Sequence, residues 1–190
     1  MSESLRAQTP SQTIGPFFGY ALPWDKDSEL VPPHSPDSIR IHGDVRDGAG
    51  AFVPDAILEL WQADASGRAV SEQGSLHRDG YTFTGFGRAA VNGSGHFSFS
   101  TVRPGAMAPG RAPYALLTVF ARGITHHLFT KIFFEGEPAN ADDAFLASVP
   151  AERRGTLIAR ADGPDSYRFD VVLQGDGETV FIDFDGGRDD

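Results

Sequence analysis

The sequence predicts a mainly β protein: an antiparallel β-sandwich with an extended N-terminal arm and short helices. Three observations predict it. Short runs of alternating or continuous apolar residues recur along the chain, set apart by glycine- and aspartate-rich turns. The longest such stretch, RAPYALLTVFARGITHHLFTKIFFE at 111–135, reads as two strands too apolar for a sheet edge. The first 37 residues hold six prolines and little periodicity, which suits an arm and not a helix or a central strand.

The elements follow in order. The arm is assigned to residues 1–37 and the sandwich to 38–190. Within the arm, TPSQTIGPFF at 9–18 has a backbone fixed by two prolines and a glycine. Such an arm is either a surface tether, the reading that residues alone favour, or a reach toward another subunit. SIRIHGDVRD at 38–47 alternates as a half-buried strand. AILELWQ at 56–62 is the next, with Ile57, Glu59 and Trp61 on one face and Leu58 and Leu60 on the other. Residues 69–84 read as a long loop. Strands at 87–91 and 97–102 flank Asn92-Gly93-Ser94-Gly95, a hairpin signal. Strands at 114–121 and 125–134 surround a turn at Arg122-Gly123. Residues 142–148 and 152–159 carry helix-like spacing around Pro150. Residues 167–173 and 178–184 return to strand patterns, and the acidic end reads as a solvated tail.

Composition narrows the chemistry. The 190 residues suit one ordinary domain core. The formal net charge is −10, so no basic footprint for nucleic acid exists. A small anionic ligand would need a local arginine against that field. No cysteine is present, which excludes thiolate metal sites and cysteine nucleophiles. No apolar run approaches the ~20 residues that span a bilayer. The start, MSESLRAQTPSQ, lacks a secretory pattern, so no membrane association and a cytoplasmic location are expected.

Candidate sites are sparse. Of six histidines none forms a His-x-His, the spacing that puts two ligands on one strand face. His126 and His127 are adjacent and point apart on a strand. There is no G-x-S-x-G, and Gly85-Phe86-Gly87 lacks the lysine and helix of a phosphate loop. Glu59, Asp64, Glu135 and Glu137 have no spacing that marks acid–base work. Arg122 ends an apolar strand beside Gly123, where a guanidinium could take a carboxylate in bidentate fashion. Residues alone favour the plainer alternative, a salt bridge.

A set of motifs, taken together and in order, resembles a known family. They are TPSQTIGPF at 9–17, LELWQADA at 58–65, GFGR at 85–88, TVRPG at 101–105, LTVFARG at 117–123, RRGTLIA at 153–159, YRFD at 167–170 and GDGETVFIDF at 175–184. They are similar to those of intradiol ring-cleavage dioxygenases, and within them to the α chains of the two-chain members that cleave protocatechuate. The resemblance implies a β-sandwich. It also implies that catalytic chains hold Fe(III) with two tyrosines and two histidines, the latter a His-x-His where this chain has Tyr114-Ala115-Leu116. One tyrosine would follow Gly67-Arg68, where Ala69 stands, and the other would lie in 105–112, which holds none. Ala69, Tyr114 and Leu116 are thus implied to be vacated ligand positions.

On this resemblance the iron belongs to a homologous β subunit, with which the chain pairs into αβ protomers of a higher oligomer. The chain itself is implied to wall that active site with Thr13, Gly15, Pro16, Phe17 and Arg122, around a small aromatic substrate opened by O2 to 3-carboxy-cis,cis-muconate. Where many α chains carry tyrosine, Phe17 lacks the hydroxyl. Two alternatives stay open: an independently active dioxygenase with an altered iron site, and a non-enzymatic sandwich used for binding.

Overall fold

The structure is a computed structural model and describes residues 10–15, 17–72 and 76–184. Among the described residues nine strands form one hydrogen-bonded sheet that folds on itself as a sandwich. In chain order they are β1 (Ser38–Arg46), β2 (Ile57–Gln62), β3 (Phe86–Ala90), β4 (His96–Val102), β5 (Ala115–Phe120), β6 (Leu128–Phe134), β7 (Ile158–Gly163), β8 (Ser166–Arg168) and β9 (Val171–Val172). The hydrogen-bonded order is β3-β2-β5-β6-β7-β8-β1-β4, with β9 pairing on β1. Most pairs are antiparallel. Parallel joints occur at β1–β8, β1–β9 and β6–β7, the last linking the two halves.

Alternation explains the layers. Ala115, Leu117 and Val119 of β5 are fully buried, whereas Leu116, Thr118 and Phe120 are half-buried on the opposite face. The inward residues meet Leu58 and Leu60 of β2, Ile132 and Phe134 of β6, and Ile41, Phe97 and Phe99 from the other half. This is the sandwich core. A smaller cluster of Phe133, Leu146, Val149 and Leu157 lies on the outer face of β6. There the short helix α2 (Ala144–Ser148) is capped by Asp143, whose carboxylate accepts from the Phe145 and Leu146 amides.

Several expectations are corrected. Residues 152–159 are not a helix. A 3₁₀ turn covers Arg154–Leu157 and β7 begins at Ile158, because Ile158 and Ala159 pair with Phe133 and Phe134. Tertiary pairing overrides a helix-like spacing here. Residues 178–184 are extended but form no ladder. The Ile182 amide donates to the Phe129 carbonyl at 2.7 Å, and the Thr130 hydroxyl donates to the Val180 carbonyl at 2.7 Å. A single backbone bond and a side-chain hydroxyl thus tie the segment to β6 in place of a ladder. The strand read over 125–134 starts only at Leu128, since 121–127 form the turn. The run 167–173 is split into β8 and β9.

The arm contains one helical turn, α1 (Phe18–Ala21), although its prolines argued against any. No proline falls inside it. Further on, Leu30 is buried and its amide donates to the Ser100 carbonyl at 2.8 Å, which lays this stretch along β4.

Candidate functional site

The arm residues and Arg122 converge at one corner. The Gly123 amide donates to the Thr13 hydroxyl at 2.8 Å, tying the arm to the β5–β6 turn. Ser11 and the His126 ring are hydrogen-bonded at 2.9 Å across the same turn. Gly15 has φ +70°, a left-handed value that a side chain resists. Phe18 then packs its ring 5.7 Å from that of Phe120, seating α1 on the outer face of β5. Phe17 and Tyr20 are left 80% and 87% exposed, large apolar surfaces without cover in the single chain. Pro16 lies outside the described residues.

Arg122 sits at this corner in an ion pair, its Nε 3.0 Å from Asp55 Oδ2. The salt bridge that residues alone favoured therefore exists. The arginine side chain remains 58% exposed, and a surface pair of this kind contributes only about 0–1 kcal/mol. Beside it lies an open cleft of about 390 Å³ lined by Gly19, Tyr20, Asp55 and Arg122. The corner can present a guanidinium to a carboxylate.

The positions equated with iron ligands lie elsewhere. Tyr114 just precedes β5 and Leu116 is its second residue, eight and six residues before Arg122, or about 26 and 20 Å of extended chain. Ala69 is exposed in the loop after β2. Leu116 is paired in register with Lys131 of β6, whose Nζ lies 4.2 Å from the centre of the Tyr114 ring. A ferric ion prefers several anionic or imidazole donors. This set offers one phenol, two side chains without donors, and an ammonium that would repel the metal. The residues present do not fit iron. Among the described residues no three His, Asp or Glu side chains converge as a metal-binding group either.

The loops around those positions are nonetheless held firmly. Asp64 Oδ1 accepts from the Ser66 and Arg68 amides at 2.9 Å, and Arg68 Nε donates to Oδ2 at 3.1 Å. These bonds hold the Asp64 carboxyl below its usual range, the Ser66 hydroxyl contributing most. A Cβ at Gly67 would lie 2.0 Å from the Ala106 carbonyl oxygen, and φ there is +82°. Buried Gln62 donates to the Val102 carbonyl at 2.8 Å and accepts from the Thr101 hydroxyl at 3.0 Å. Scaffold bonds thus clamp the 64–68 turn and its neighbours at 101–106.

Sequence reasoning missed Asp55, Tyr20 and Lys131. Asp55 is 67 residues from Arg122 and only the β2–β5 pairing brings them together. Lys131 gave no local signal, because its placement beside Tyr114 depends on the β5–β6 register.

Comparisons with known proteins identify the family. A family model described as Dioxygenase matches residues 14–175. The protocatechuate 3,4-dioxygenase alpha chain of Burkholderia cepacia is 42% identical over 193 residues, covering 93% of this chain and 97% of that one. The beta chain of the same enzyme from that organism is 32% identical over 154 residues, covering 73% and 65%. Among solved structures, the dioxygenase domain of a carbohydrate-binding fusion from Streptomyces sp. SirexAA-E superposes with a TM-score of 0.59. It is 28% identical and covers 89% of this chain and 99% of that one. The chain belongs to the intradiol ring-cleavage dioxygenase family, and its similarity is greater to an alpha chain than to a beta chain of that family.

Proposed function

We propose that this chain is the iron-free α-type subunit of a dioxygenase that opens protocatechuate with O2 to 3-carboxy-cis,cis-muconate. It walls an active site whose Fe(III) is held by a homologous β-type partner, in αβ protomers. The observation that carries this reading is the corner where Thr13 is bonded to Gly123 beside the half-exposed Arg122. An arm and a cation are brought to one open edge, with Phe17 and Tyr20 uncovered beside them. The similarity to an alpha chain across nearly its whole length supports the same reading.

In this role the chain supplies binding and orientation. Arg122 would exchange its weak pair with Asp55 for the ring carboxylate of the substrate, a charge-assisted contact. The Thr13–Gly15 backbone, fixed against the turn, would line the cleft and exclude water from one side of the ring. The partner's iron supplies the activation of the catecholate toward O2. No helix among the described residues is long and apolar enough to cross a membrane, and we place the complex in the cytoplasm.

Oxygen uptake tests the reading. A β-type chain should turn over protocatechuate far faster with this chain than without it. Equal rates with and without it, or failure of the two chains to co-purify, would overturn the proposal.

A further inference from the structure

A second site lies at the other end of β5, away from the Arg122 corner. An open cleft of about 550 Å³ is lined by Met107, Arg111, Tyr114, Lys131, Asp143 and Phe145. Its two cations lack carboxylate partners: among the described residues no acid lies within ion-pair distance of Arg111 or Lys131. Lys131 is instead sandwiched between rings, its Nζ 4.2 Å from the Tyr114 centroid and 4.4 Å from that of Phe145. Asp143 is the acid nearest at hand, but it is committed elsewhere. Its carboxylate accepts from the amides of Ala112 at 3.0 Å, Phe145 at 2.9 Å and Leu146 at 3.1 Å. Burial pushes the Lys131 ammonium below the ordinary lysine value, with Asp143 opposing and Arg111 adding to the shift. An incoming anion would relieve that cost.

The walls specify the rest of the ligand. Tyr114 and Phe145 already hold Lys131 on ring faces and pack on Phe133, so they offer the cleft ring edges, and the Tyr114 hydroxyl makes no hydrogen bond among the described residues. Met107 closes one side with an adaptable thioether, itself 39% exposed. Two unpaired cations beside aromatic walls, in a chain of net charge −10, form a local exception to its acidic field. A carboxylate can take charge-assisted bonds from both cations while an attached ring lies against the aromatic walls. We propose that this cleft binds a small aromatic carboxylate of the benzoate class. The donor-poor region that cannot hold iron is, on this reading, an anion site of the chain's own. The inference does not rest on the proposed function, since it concerns residues far from Arg122.

The test is calorimetric titration of the full chain with 4-hydroxybenzoate, which lacks the adjacent hydroxyls needed for ring cleavage. Saturable binding is expected, with the neutral 4-hydroxybenzamide weaker by about tenfold or more. Lys131→Met should weaken the acid to a similar degree, and Lys131→Arg should retain most of the affinity. Should Lys131→Met fail to fold by its melting curve, Arg111→Ala, an exposed substitution, carries the same expectation. No saturable binding at millimolar probe would overturn the proposal. So would equal binding of acid and amide.

Discussion

Thr13 and Gly123 are 110 residues apart and joined by one hydrogen bond, and Arg122 stands beside that bond. Its pair with Asp55 leaves the arginine mostly exposed, so Arg122 contributes little to folding. Arg122→Ala should change stability by less than ~1 kcal/mol. In the complex it should lower kcat/KM for carboxylated catechols by about tenfold, ~1.4 kcal/mol, while sparing catechol itself. Equal losses on both substrates would return Arg122 to a structural role. A second residue controls pH response. His42 is buried on β1, its Nε2 2.7 Å from Asp162 Oδ2 and its Nδ1 without a partner. Burial lowers its pKa from 6.5, and the hydrogen bond to Asp162 only partly opposes this. The unfolded chain therefore takes up the proton first as pH falls. Stability is full above 6.5 and declines as pH drops through that value toward the lower folded pKa. Melting curves between about pH 7.5 and 5 should show this decline, and His42→Gln should flatten it.

At the scale of elements, the arm and the clamped loops have different tasks. The described arm contacts before residue 18 are few: Thr13 to the turn and Ser11 to His126. Deleting residues 1–17 should therefore leave the melting temperature of the chain nearly intact while impairing complex formation or turnover. An unaffected complex would make the arm a plain tether. Gly67 is the opposite case. A side chain there meets the Ala106 carbonyl and a left-handed backbone, so Gly67→Ala should destabilise by about 1–3 kcal/mol, read by denaturant unfolding. Gly67 sits in a turn that the sequence announced, as it announced the hairpin at Asn92–Gly95. Alternation was equally legible in β1, β2, β4 and β5. What was hidden is non-local. Residues 158–159 became a strand because Phe133 and Phe134 pair with them, and the ladder through 167–173 is interrupted at 169–170, where the Asp170 carboxylate instead of a backbone carbonyl accepts from the Asp44 amide at 2.9 Å. The site divides in the same way. Motif order marked Thr13, Gly15, Phe17 and Arg122, whereas the Asp55 pair and the Lys131 cleft required the sheet registers.

For the whole molecule, one long sheet folded on itself encloses the apolar core, and Phe17 and Tyr20 at the arm corner are among several large apolar side chains left exposed. The chain thus keeps the fold of a ring-cleavage enzyme while Tyr114, Leu116 and Ala69 give a ferric ion almost nothing to bind. The central claim is that catalysis needs this chain and that the iron does not reside in it. Metal analysis and visible absorption of the chain purified alone and with a β-type partner test this directly. The account predicts iron and a tyrosinate-to-ferric band in the complex, with neither in the isolated chain. Stoichiometric iron with that band in the isolated chain would contradict it.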